Sequence, residues 1–83
     1  MTRRDKLIDR ILRGGSDADI AFDDLCTLLT HFGFGLRVNG SHHLFSKSGI
    51  IEKVNLQRDG SKAKPYQVRQ VRELIVKYQL GGE

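Results

Sequence analysis

The sequence predicts an α+β domain: a three-stranded antiparallel sheet with helices packed on one face, in the order α-α-β-β-β-α. Three features point there. The strand-like segments Leu36–Asn39, His42–Lys47 and Ile50–Gln57 follow one another closely, with Asn39–Gly40 and Ser48–Gly49 as hairpin chemistry between them. Amphipathic helical patterns stand before and after this meander, and such helices cover one sheet face. The length of 83 residues allows one domain, 1–83, and neither end could bury a core alone.

The elements justify themselves in order. Thr2 to Arg13 places Leu7, Ile8, Ile11 and Leu12 on one stripe; Thr2 and Asp5 form a capping-box pattern, and Gly14–Gly15 ends the helix. The polar linker "SDADIAF" anchors through Ile20 and Phe22. Asp23 to Phe32 repeats the helical spacing with Leu25, Leu28, Leu29 and Phe32, carries Asp23 and Asp24 in its first turn, and stops at Gly33. Arg58 to Lys64 is a polar loop with an Asp-Gly turn signal. Pro65 opens the last helix, whose apolar stripe is Val68, Val71, Leu74, Ile75 and Tyr78; Gly81–Gly82 closes the chain.

Charge is unevenly divided. Residues 1–35 hold five Lys/Arg and six Asp, a charge of −1, whereas residues 36–83 hold nine Lys/Arg against four acids, a charge of +5, which together give the net +4. A basic segment favours a polyanion such as nucleic acid. The single cysteine, Cys26, permits no intrachain disulfide and is expected to be a buried, inert thiol in a reducing cytoplasm. No apolar run approaches the ~20 residues of a membrane span, and the N-terminal segment lacks the apolar stretch of a secretory signal.

The stretch "VNGSHHLF" holds the candidate chemistry. Adjacent strand residues point to opposite faces, so His42 and His43 cannot clamp one metal ion, and no acidic or cysteine cluster adds ligands; no metal or cofactor is expected. One imidazole faces the helices and the other the open side. A two-residue turn at Asn39–Gly40 puts His43 on the face of Leu36 and Val38. A three-residue loop, Asn39 to Ser41, puts His43 and Phe45 on the face of Arg37. The plain role of the pair is a strand end with one packed and one solvated ring. The chemical role is proton transfer, since an imidazole titrates near pH ~6.5 and can act on an RNA 2′-hydroxyl without a cofactor. Candidate phosphate contacts are Arg37, Lys47, Lys62 and Lys64, and Phe45 is either a core residue or a base-stacking one. His31, at the end of its helix, serves as a C-terminal cap.

Gly-Phe after an apolar helix, then "RVNGSHHLF", then "KAKPYQVRQVRELI", together resemble the HicA-like toxins of bacterial HicA–HicB toxin–antitoxin systems, from about Phe22 to Leu80. The resemblance implies a double-stranded-RNA-binding-domain-like fold over 22–80, with 1–21 as a helical extension and linker. It implies a type II toxin, an mRNA interferase that is monomeric when free and is neutralised by a HicB-like antitoxin. It places the essential histidine at His43, with Gly40 and Ser41 leading into it and His42 at a more tolerant position; Ser41 and His42 join the RNA contacts. The second histidine often found after the third strand is missing, which leaves one general base. The rival from another class is a non-catalytic RNA-binding module of the same fold.

Overall fold

The computed structural model describes residues 2–81; Met1 and the Gly82 of the expected terminal glycine pair lie outside them. Helix α1 (Arg3–Arg13) begins with the expected capping box: Thr2 Oγ1 accepts from the Asp5 amide at 3.1 Å, and the Asp5 carboxylate accepts from the Thr2 amide at 3.3 Å. A short 3-10 turn, Asp17–Asp19, leads to α2 (Phe22–His31), one residue earlier than the periodicity places it. Strands β1 (Gly35–Asn39), β2 (His42–Lys47) and β3 (Ile50–Leu56) form the antiparallel sheet in the order β1-β2-β3. Helix α3 (Pro65–Tyr78) starts with proline at its first turn, where no amide is needed.

The expected polar loop after β3 is instead a miniature hairpin, β4 (Arg58–Asp59) and β5 (Lys62–Ala63). It has a structural task. The Phe22 amide donates to the Ser61 carbonyl at 3.0 Å and the Ala63 amide donates to the Ile20 carbonyl at 2.9 Å, so the hairpin clips down the entry to α2.

The register of the β1–β2 turn differs from both sequence alternatives. Asn39 pairs with His42 and Val38 with His43, so the turn is Gly40–Ser41. The physical reason is the backbone sign: Gly40 alone has a positive φ here (62°), which is the type II′ pattern with glycine at the first central position. Leu36, Val38, His43, Phe45, Val54 and Leu56 therefore share the helix-facing side. Arg37, Leu44, Ser46 and Asn55 share the opposite side.

One apolar core joins Ile8 and Ile11 of α1 to Ile20, Phe22, Leu25, Leu28 and Leu29, to Phe45, Val54 and Leu56 of the sheet, and to Val68, Val71, Leu74 and Ile75 of α3. Each such side chain is worth ~1.5–3 kcal/mol of burial. Leu12, expected on the inner stripe, is 43% exposed, because α1 needs only its Ile8–Ile11 line to seat on the core. The helices do not reach across β1: all five of its residues are exposed, including Leu36 and Val38 on the inner side. No helix among the described residues is long and apolar enough to cross a membrane.

Candidate nucleic-acid interface

His43 stands at the β1–β2-turn end of the sheet, opposite Val38 on one neighbour and Leu56 on the other. It faces the helices, not the open side. Its ring is half-buried, meeting the Phe22 ring nearly at right angles (81°) with centroids 5.0 Å apart. Nδ1 is buried and has no hydrogen-bond partner among the described residues. The edge contact with Phe22, not a bond to Nδ1, sets the ring, and Nε2 is the nitrogen left for chemistry.

His42 points the other way, is exposed, and has Nδ1 3.2 Å from Asn55 Oδ1. The pair thus divides as sequence periodicity requires, one ring packed and one solvated. The three-residue-loop alternative, which would have put His43 and Phe45 beside Arg37, does not form. Phe45 is a fully buried core residue and offers no surface for a base.

The expected phosphate contacts do not share one face. Ser41 and Lys64 come together through Gln57: the Gln57 side-chain amide donates to Ser41 Oγ at 3.2 Å, and its oxygen accepts from Lys64 Nζ at 3.4 Å. Arg37 lies on the open sheet side, where it lines a shallow depression of about 390 Å³ with Leu44, Ser46 and Lys53. Lys62 pairs with Asp19 at 3.3 Å. Lys47 is on the far end of β2, roughly 13 Å along the strand from His43 by strand rise. There its ammonium sits over Gly33, whose φ of 95° and missing Cβ leave room for it. The single basic sheet surface expected from the sequence is therefore corrected: Ser41, His43 and Lys64 cluster at one end, while Arg37, His42, Lys47 and Lys62 are placed elsewhere.

The structure adds Arg58 to the cluster. Its guanidinium carbon lies 4.5 Å from the Phe22 ring centroid, and Nη2 bonds Asp23 at 2.7 Å. Phe22 is thus the shared wall of His43 and Arg58. The Asp59-Gly60 turn folds β5 back onto β4, and the bonds of Ser61 and Ala63 to Phe22 and Ile20 hold that hairpin, with Arg58, against the start of α2. Below the cluster, the Gln57 amide donates to Gln67 Oε1 at 3.2 Å, and Gln67 Nε2 donates to the Tyr66 hydroxyl at 3.3 Å. Gln67, 1% exposed, is a buried polar residue whose side chain is satisfied on both ends. Among the described residues no three His, Cys, Asp or Glu side chains converge in a way that could hold a metal ion.

Chemically, the cluster offers a ring nitrogen for proton transfer, the Lys64 ammonium for an anion and a hydroxyl at a turn, while the Arg58 guanidinium is paired with Asp23. Comparison with known proteins finds no matching family model, no matching curated protein and no matching solved structure.

Proposed function

We propose that this chain is a HicA-like mRNA interferase, the toxin of a type II toxin–antitoxin pair, with a double-stranded-RNA-binding-domain-like core and a HicB-like antitoxin as its cytoplasmic partner. The supporting observation is the setting of His43: a half-buried ring oriented by Phe22, at the sheet end where Ser41, Arg58 and Lys64 also stand. The resemblance of "GSHHLF" and "KAKPYQ" to that family supplies the rest.

His43 Nε2 takes the proton of an RNA 2′-hydroxyl. The 2′-oxygen then bonds to the adjacent phosphorus as the bond to the 5′-oxygen breaks, and that oxygen leaves with a proton from solvent. The products are a 2′,3′-cyclic phosphate and a 5′-hydroxyl, with no metal in the step. General-base catalysis supplies ~10²–10⁴-fold, so a single imidazole makes a slow nuclease.

Single-stranded message incubated with purified protein in EDTA tests this. Cleavage is expected, ending in cyclic phosphate and blocked by a 2′-deoxy substitution at the cut. His43→Ala is expected to bind RNA within a few-fold of wild type while its rate falls ~10²–10⁴-fold. RNA bound but left intact by the wild type would select the rival, a non-catalytic RNA-binding module. One observation favours that rival: His43 Nδ1 meets no acceptor that would orient the ring as a base.

A further inference from the structure

We propose that Tyr66 is the base-stacking platform of this interface, and that the RNA it takes is single-stranded where it crosses the start of α3. This rests on the RNA reading above and adds a base-binding residue to it.

Tyr66 is 56% exposed, although it is one of only six aromatic residues in the chain. Its ring is open to solvent, but its hydroxyl is tied down. Gln67 Nε2 donates to it, and the other end of the same buried side chain accepts the Gln57 amide. Gln57 directly follows Leu56, the cross-strand partner of His43. The ring is therefore an outward-facing apolar plate whose orientation is held from beneath, two hydrogen bonds away from the strand that frames His43. A freely mobile surface tyrosine would lose rotamer entropy on stacking; this one has surrendered much of it already.

The neighbours are cations. Lys64 stands two residues before Tyr66, and Arg69 lies one helical turn later on the same side of α3. Neither is ion-paired among the described residues, whereas Arg58, Lys62, Arg72 and Lys77 all are. An exposed aromatic ring flanked by unpaired cations is the arrangement that holds single-stranded nucleic acid: charges track the backbone and the ring takes a base. In a duplex both faces of each internal base are already stacked, so the same ring gains nothing there.

The chain has no tryptophan and two tyrosines, and Tyr78 is anchored by its hydroxyl to Glu52 at 2.6 Å. Tyr78→Phe therefore leaves Tyr66 as the only strong emitter. Titrating that variant with a short single-stranded RNA is expected to quench its tyrosine emission. A blunt RNA duplex is expected to leave the emission unchanged. Tyr66→Leu is expected to weaken single-strand binding by about 5- to 100-fold, and Tyr66→Phe, which keeps the plate but loses its anchor, by a smaller factor. Unquenched emission at saturating single-stranded RNA, equal quenching by the duplex, or unaltered affinity of Tyr66→Leu overturns the stacking role while RNA cleavage by the wild type still stands. Absence of any RNA binding by the wild type overturns the interferase reading itself.

Discussion

Single residues decide the chemistry here, and the decisive one is read by its surroundings. His43 does not lie on a charged plain; it is wedged edge-on against Phe22, which also carries Arg58. Cys26, nearby on α2, has the opposite character. Burial, reinforced by the Asp23 carboxylate, pushes its thiol up to about 11. The expected consequence is slow alkylation: iodoacetamide at neutral pH should label the folded protein roughly two orders of magnitude more slowly than the urea-unfolded chain, followed by mass spectrometry. At this scale the sequence was informative about residue type and poor on direction. That the two histidines diverge follows from strand period alone. Which of them faces the helices depends on one turn residue, and a one-residue slip exchanges the two faces. Arg58 was illegible for another reason: its partner Asp23 is 35 positions away.

At the scale of elements, periodicity and capping carried the prediction. The three main helices and three main strands stand within a residue or so of where apolar spacing, Thr2, Pro65 and the glycine turns put them. The β4–β5 hairpin was missed because two-residue strands have no period to detect; it exists through its bonds to Ile20, Ala21 and Phe22. Helix α1 is likewise held by a contact no local pattern announces. Arg72 of α3 makes a forked pair with Asp17 at 2.9 and 3.0 Å and donates to the Ile11 carbonyl at 3.0 Å. These bonds lower the Asp17 pKa below the usual carboxylate range. Arg72→Met keeps much of the stem packing but leaves Asp17 and the carbonyl without their donor. It is expected to cost about 1.5–3 kcal/mol, measured as a shift of the urea midpoint.

Across the whole molecule, charge is redistributed relative to the chain. The acidic first part and basic second part do not form two poles, because Asp17, Asp19 and Asp23 pair with Arg72, Lys62 and Arg58. What remains unpaired is scattered, which explains why a basic second half did not become one basic surface. Acid stability is set partly by a pair at the other end of the sheet. Hydrogen bonds from Lys77, then from Tyr78, hold the Glu52 carboxyl at about 2. A carboxyl depressed in the folded state stabilises it fully above its ordinary value of ~4.3, and the contribution fades as pH falls toward 2. Glu52→Gln is therefore expected to be less stable than wild type at pH 7, with the two denaturation curves converging between about pH 4 and pH 2.

Strand β1 has a neighbour on one flank only and is exposed along its whole length. It is the layer that peels away most cheaply, and it carries one side of the hinge on which Ser41 sits. Amide exchange along Gly35–Asn39 should therefore run ahead of the β2–β3 ladder around Phe45, Val54 and Leu56, reporting breathing at the mouth beside His43 while the rest of the sheet stays shut.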